Sequence, residues 1–108
     1  MTRVELTSST SGETVRVRPD DEIVLRLRES PTTGFRWEVE ALGPGLVELE
    51  DAFTLDEPEL IGGGGLRQWR FRVGDALGGA RIALRHWQPW EGEASISDRF
   101  SVDVEIER

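Results

Sequence analysis

Cysteine is absent from the 108 residues, which excludes disulfide bonds, thiolate metal sites and a cysteine nucleophile. The single histidine, His86, rules out a metal site built from several histidines. Asparagine is also missing, so the chain has no N-glycosylation acceptor. Because no run approaches about 18 apolar residues, we expect neither a transmembrane helix nor a membrane partner.

The amino-terminal stretch from Met1 to Thr10 shows no apolar run and no cleavage-like pattern of a signal peptide. As written, the sequence therefore predicts a cytoplasmic protein. The mature form of a secreted or periplasmic protein is the alternative, because chains without disulfides occur on both sides of the membrane.

Acidic residues outnumber basic ones by 21 to 13, which gives a net charge of −8 and a pI near 4.6. Phosphate binding needs a basic face, so nucleic acid is not an expected partner. The acidic clusters at 20–22, 48–51 and 56–59 are typical of solvated turns, and none has the spacing of a Ca²⁺ loop. We expect no metal and no cofactor. A hydrolase that uses two carboxylates is an alternative, but no pair stands out.

Apolar and charged residues alternate along most of the chain, which is the period of two of half-buried strands. Seven or eight such segments, separated by turn residues and with no convincing helix, predict an all-β fold. We expect an immunoglobulin-like β-sandwich of about seven or eight antiparallel strands, with a small barrel as the alternative. One domain should span residues 1–108. The alternation fades after Leu46 to Glu50, and Asp51 to Gly65 is predicted to be a long connection.

Ser30 to Gly34 forms an unusually stiff connection between two strands. Pro31 fixes its own φ and biases Ser30 toward an extended backbone. Thr32 and Thr33 are β-branched, and Gly34 permits a positive φ. An uncharged loop with so little freedom loses little entropy on docking and carries no acid, base or strong nucleophile. The loop therefore suits recognition better than catalysis.

Two further loops carry unusual residues. The glycine run 62–65 lacks the lysine and the following helix that a phosphate loop needs, so it is a flexible linker or a bare backbone that a partner can approach. In the loop from Trp87 to Gly92, Trp90 is predicted to be exposed and to bind a partner. The role of Trp87 stays open, whereas Trp37 and Trp69 should lie in the core. His86 is interpreted as a packed residue at a strand end.

In an immunoglobulin-like topology these three loops are the B–C, D–E and F–G connections, which lie at the same end of the sandwich. The unusual residues of all three loops are therefore predicted to converge on one surface.

In sequence order, Pro-Thr-Thr-Gly at 31–34 before Trp37, the glycines 62–65 before Trp69, and Pro-Trp-Glu at 89–91 resemble the motifs of the chagasin family. This is a family of protein inhibitors of papain-like cysteine peptidases, with Asn-Pro-Thr-Thr-Gly, Gly-x-Gly-Gly and Arg-Pro-Trp or Arg-Pro-Phe loops. The resemblance covers nearly the whole chain. Ser30 replaces the usual Asn, Gln88 replaces the usual Arg and its fork of donors, and His86 stands where many members have Tyr.

The resemblance implies a reversible, competitive, non-covalent inhibitor that is not an enzyme. For the free protein a monomer is the default expectation, with strand exchange at the hinge loops as the alternative. Its partner would be a papain-like or cathepsin L-like cysteine peptidase, whose active-site cleft the three loops would fill. The implied peptidase-binding residues are Ser30, Pro31, Thr32, Thr33, Gly34, Gly62, Gly63, Gly64, Gly65, Leu66, Gln88, Pro89 and Trp90. The alternative is an immunoglobulin-like carbohydrate-binding or adhesion module that uses Trp87 and Trp90 as a sugar platform.

Overall fold

The computed structural model describes residues 2–30, 33–55 and 64–108, and these residues form eight strands and short 3₁₀ turns. The strands are β1 (Arg3–Leu6), β2 (Thr14–Val17), β3 (Glu22–Glu29), β4 (Arg36–Leu42), β5 (Leu46–Leu55), β6 (Gly65–Val73), β7 (Gly78–Trp87) and β8 (Asp98–Ile106). The 3₁₀ turns are Ser8–Thr10, Pro89–Glu91 and Glu93–Ser95. In this part of the chain no helix is long and apolar enough to cross a membrane.

The strands form two four-stranded sheets, with the orders β1-β3-β6-β5 and β2-β8-β7-β4. The predicted all-β, immunoglobulin-like sandwich is therefore confirmed. One detail of the prediction is wrong, because β1 runs parallel to β3 and β2 runs parallel to β8. The amino-terminal segment divides its hydrogen bonds between the sheets, with the turn Ser8–Thr10 separating the two short strands. A period of two identifies strands but carries no information about their direction.

The core lies between the two sheets and is filled by the residues that the alternation placed inward. Its largest fully buried side chains are Trp69, Phe71 and Phe100. Trp37 is only 7% exposed, so both tryptophans predicted to be core residues are buried. Fully burying a large apolar side chain contributes about 1.5–3 kcal/mol, and a core of this kind explains how the sandwich holds without disulfides.

Strand β5 is longer than predicted, because it continues through the acidic stretch to Leu55. The register shifts between Glu48 and Glu50, which marks a β-bulge. Glu48 opposes Phe71 and Asp51 opposes Trp69, so both carboxylates point toward the inner face. The bulge and these charges interrupt the alternation of apolar and polar residues, so the sequence does not show that the strand continues. They also oppose pairing of this edge strand with other chains.

The acidic clusters act in ion pairs and hydrogen bonds within the fold. Arg70 bridges Glu50 on β5 and Glu22 on β3. Asp21 is buried and accepts hydrogen bonds from the backbone amides of Thr2 and Arg18, both at 2.9 Å. The cluster at 56–59 lies outside the described residues.

Candidate functional site

The strand ends that flank three connections lie at one end of the sandwich in the described part of the chain. The first loop (30–35) joins β3 to β4, the second loop (56–64) joins β5 to β6, and the third loop (88–97) joins β7 to β8. A cavity of about 410 Å³ lies between these connections. Its lining residues are Arg28, Glu29, Ser30, Thr33, Phe35, Gly64, His86 and Ser97. The predicted site residues Pro31, Thr32, Gly62 and Gly63 lie outside the described residues.

The first loop is shaped by the side chain of Thr33. Its hydroxyl donates a hydrogen bond to the backbone oxygen of Ser30 at 2.9 Å and accepts one from the amide of Phe35 at 3.3 Å. Gly34 has a φ of +80°, a conformation that side-chain-bearing residues rarely adopt. The hydroxyl and the glycine together shape the described part of this loop, residues 33–35.

The third loop is braced by Ser95, which no sequence pattern indicated. Its hydroxyl accepts a hydrogen bond from the amide of Gln88 at 3.0 Å and lies 2.6 Å from the backbone oxygen of Gly92. The two 3₁₀ turns that it joins present Trp90 to solvent. The sequence did not predict this role, because a serine in a polar loop does not reveal a hydrogen bond to a residue seven positions away.

The two tryptophans of the third loop differ in their surroundings. Trp90 is 68% exposed, as predicted, whereas Trp87 ends β7 and is only half-buried. The guanidinium of Arg85 lies 3.5 Å from the centre of the Trp87 ring. One face of Trp87 is therefore covered by the guanidinium and is not open to a ligand.

The first and third loops contact each other directly. A methyl group added to Gly34 would lie 2.7 Å from Cη2 and 2.9 Å from Cζ2 of Trp90, so the indole occupies the space that a side chain would need. The amide nitrogen Nε2 of Gln88 donates a hydrogen bond of 3.4 Å to the backbone oxygen of Thr33. Gly34, Thr33, Gln88 and Trp90 thus form one surface from two loops.

The described end of the second loop leads into β6. Gly64 is half-buried, and Gly65 is buried within the strand. A side chain at Gly65 would lie 2.4 Å from the backbone oxygen of Thr54 and 2.6 Å from Cζ of Phe53. Packing within the protein itself therefore requires a glycine at 65. Leu66, also predicted to bind, is half-buried in β6 opposite Thr54.

Beneath the loops, a cluster of charged side chains joins three strands. Arg67 on β6 donates hydrogen bonds to Asp51 on β5, with one distance of 2.8 Å, and to Glu29 at the end of β3 at 3.2 Å. The hydrogen bond with Asp51 and the attraction of both carboxylates raise the pKa of Arg67 above its ordinary value, despite the cost of burial. Arg67 therefore stays charged and ties together the strand ends from which the first and second loops depart.

His86 packs against the stem of the first loop. Its ring centre lies 5.4 Å from that of Phe35 and 5.0 Å from that of Trp37, and its Nδ1 lies 2.9 Å from the hydroxyl of Ser97. The interpretation of His86 as a packed residue agrees with these contacts. Its partners are aromatic rings and a serine hydroxyl, so it links the bases of the first and third loops.

The described residues of the site form hydrogen-bonded loops with an exposed indole. Within residues 2–30, 33–55 and 64–108, no group of three or more histidines, aspartates or glutamates is placed to hold a metal ion. Beneath the loops, the carboxylates of Glu29 and Asp51 are engaged by Arg67. An exposed indole and loops braced by side-chain hydrogen bonds are features that favour protein recognition.

Comparison with known sequences gives two matches that cover most of the chain. The family described as "chagasin family peptidase inhibitor I42" matches residues 16–104. The chain is also similar to chagasin of Trypanosoma cruzi, with 27% identity over 103 residues, 91% of this chain and 93% of that protein.

Comparison with solved structures finds the same fold. The cysteine protease inhibitor EhICP2 from Entamoeba histolytica superposes with a TM-score of 0.88 at 23% identity, over 99% of this chain and 97% of that one. PbICP-C, solved in complex with falcipain-2, gives a TM-score of 0.61 at 12% identity, over 99% of this chain and 100% of that one.

Proposed function

This chain belongs to the chagasin family of peptidase inhibitors, and we propose that it inhibits papain-like cysteine peptidases reversibly, competitively and without a covalent bond. The family consists of inhibitors and not of enzymes, in agreement with the prediction from the sequence. The observation that carries the proposal is the meeting of the first and third loops at one end of the sandwich, with Trp90 exposed at their junction.

In the proposed mechanism the three loops fill the active-site cleft of the peptidase. The first loop lies over the catalytic Cys/His pair, where Thr32 and Thr33 contact it. Gly64 and its neighbours run along the non-primed side of the cleft and pair backbone to backbone. Pro89 and Trp90 cover the primed side. Substrate is excluded by occupation of the cleft, so the inhibitor needs no reactive group of its own.

The hydrogen bonds within the first and third loops support this mechanism. Association costs free energy for every loop and side chain that must become ordered at the interface. Here the hydroxyls of Thr33 and Ser95 brace the first and third loops in the free protein. Less of the interaction energy is then consumed by ordering. A tryptophan exposed at such a position has the character of an interface hot spot.

A steady-state titration against papain and a cathepsin L-like enzyme, with a small fluorogenic substrate, tests the proposal. We expect competitive inhibition that dilution reverses, with the inhibitor recovered uncleaved. If neither enzyme is inhibited at micromolar concentration, Ser30→Asn and Gln88→Arg restore the usual family residues. Failure of that double variant to inhibit would overturn the proposal, and binding in a glycan screen would then favour the carbohydrate-binding alternative.

The proposal includes a monomeric state for the free protein. The bulge and the inward carboxylates of β5, Glu48 and Asp51, oppose edge-to-edge pairing. Light scattering after size-exclusion chromatography should therefore give the mass of one 12.1 kDa chain. A concentration-dependent dimer would contradict this part of the proposal.

A further inference from the structure

We propose that Gly34 and Gln88 are positioning residues that join the first and third loops into one rigid unit and hold the Trp90 indole in its binding orientation. The inference rests on the proposed function for its importance to inhibition. The contact between the loops can be tested in the free protein. Residues of either loop would then affect inhibition through the other loop as well as through any contact with the peptidase.

Gly34 provides the space in which the indole rests. Its positive φ of +80° already favours glycine. In addition, an added methyl group would lie 2.7 Å and 2.9 Å from two ring atoms of Trp90, far inside normal contact distance. These atoms are at the outer edge of an exposed side chain, so the ring can swing away while the fold persists. Gly34→Ala should therefore release Trp90 without unfolding the sandwich.

Gln88 adds a polar link beside the ring. Its Nε2 donates to the backbone oxygen of Thr33 and lies 3.6 Å from the position that a methyl group on Gly34 would take. Gln88 precedes the 3₁₀ turn that carries Trp90. The backbone amide of Gln88 donates a hydrogen bond to the hydroxyl of Ser95. Gln88 therefore connects the braced base of the third loop to the tip of the first loop.

The contact matters because Trp90 is 68% exposed and would otherwise sample several rotamers. Fixing a side chain before docking removes an entropic cost from association. Most of the benefit should appear as slower dissociation of the complex, since affinity differences among variants of one interface reside mainly in koff.

Fluorine NMR of the protein labelled with 5-fluorotryptophan tests the contact directly. The chain has four tryptophans, and the Trp90 resonance is assigned by its loss in Trp90→Phe. We expect Gly34→Ala to shift the Trp90 resonance while those of Trp37 and Trp69, which are buried, stay in place. An unchanged Trp90 resonance would overturn the inference whether or not the protein inhibits a peptidase.

Gly12→Ala is the matched control for backbone strain. Gly12 has a φ of +89°, and an added methyl group there would meet nothing within 4 Å. Both variants should lose similar stability, but only Gly34→Ala should raise the inhibition constant, by about tenfold or more. Equal inhibition constants for the two variants would overturn the positioning role.

A double-mutant cycle separates positioning from direct contact. If Gly34 acts through Trp90, then Gly34→Ala should have little further effect in a Trp90→Ala background. Additive effects would show that position 34 acts independently of the indole and would overturn the inference. Gln88→Glu keeps the shape of the side chain but removes the donor to Thr33, and it should shift the Trp90 resonance in the same direction as Gly34→Ala. If the wild type proves not to be an inhibitor, the NMR result still decides whether the contact exists.

Discussion

The backbone amide of Trp37 donates a hydrogen bond of 2.6 Å to the buried carboxylate of Glu29, across the first loop that separates them in the chain. The indole Nε1 of Trp37 also donates to the backbone oxygen of Arg28 at 2.9 Å. Because Glu29 ends β3 and Trp37 lies at the start of β4, these bonds close the loop at its base. Arg67 neutralises the carboxylate from β6. The first loop is thus held by the ion cluster beneath it as well as by its own turn.

Replacing Glu29 with alanine should strongly destabilise the protein. The variant leaves the Trp37 amide without its acceptor and removes one carboxylate from Arg67, and breaking a buried ion pair costs about 3 kcal/mol or more. Urea unfolding measures the loss. Glu50→Ala is the control, because Glu50 also pairs with an arginine of β6, Arg70, but on the outer face of the sheet. It should cost much less, and equal losses would show that the buried cluster has no special role.

Strand alternation predicted most of the fold, and its failures have physical causes. Ile23, Leu25 and Leu27 mark the inner face of β3, and Glu29 falls in the same phase at the end of the strand. A carboxylate at an inward position of a strand indicates a buried ion pair. The sequence does not identify Arg67 as the partner, because it lies 38 residues away and the alternation does not show which strands pair.

The sequence predicted features that topology and loop chemistry decide, and it missed those that local packing decides. The contact between the first and third loops agrees with the sandwich topology, and the exposure of Trp90 followed from its place beside proline. The burial of Gly65 beneath Phe53 was not predicted, because β5 was expected to end at Glu50. A bulge that shifts the phase of a strand removes the periodicity on which its detection depends.

Trp90→Ala should weaken inhibition by about 2 kcal/mol or more, or roughly thirtyfold, if Trp90 is a hot spot. Its effect on the free energy of unfolding should stay within about 0.5 kcal/mol, because the side chain is largely exposed. Inhibition constants for papain and urea unfolding measure the two effects. Leu77→Ala is the control, since Leu77 is also exposed but lies in the connection between β6 and β7. A folded Trp90→Ala variant with undiminished inhibition would remove Trp90 from the site.

Asp21 should make stability depend on pH in the acid range. The hydrogen bond from the Arg18 amide, assisted by that from Thr2, holds the pKa of Asp21 below its ordinary value despite burial. Since the pKa is lower in the folded state, the stabilisation is complete above the unfolded value of about 3.9. It is lost as the pH falls through the folded pKa.

Urea unfolding of wild type and Asp21→Asn at several pH values checks this expectation. At pH 7 the variant should be less stable by about 1–3 kcal/mol, because a buried charge-assisted hydrogen bond is lost. The difference should begin to shrink below about pH 4, where Asp21 of the unfolded chain takes up a proton, and should shrink further as the pH falls through the lower folded pKa. Asp75→Asn changes the net charge equally at an exposed turn residue and should shift the stability at pH 7 by no more than about 0.5 kcal/mol. A difference between wild type and Asp21→Asn that is independent of pH would contradict the linkage.

Gly65→Ala should destabilise the folded protein itself, independently of any binding partner. The new methyl group would lie 2.4 Å from the backbone oxygen of Thr54, which cannot move without disturbing the pairing of β5 with β6. Overpacking of this kind costs about 1–3 kcal/mol, measurable by urea unfolding. Gly79→Ala is the matched strand control, because its methyl group would lie 3.8 Å from its nearest neighbour, an oxygen of Glu105. That variant should be neutral or slightly stabilising. A Gly65→Ala protein as stable as the wild type but unable to inhibit would show instead that the peptidase, and not Phe53 and Thr54, requires glycine at this position.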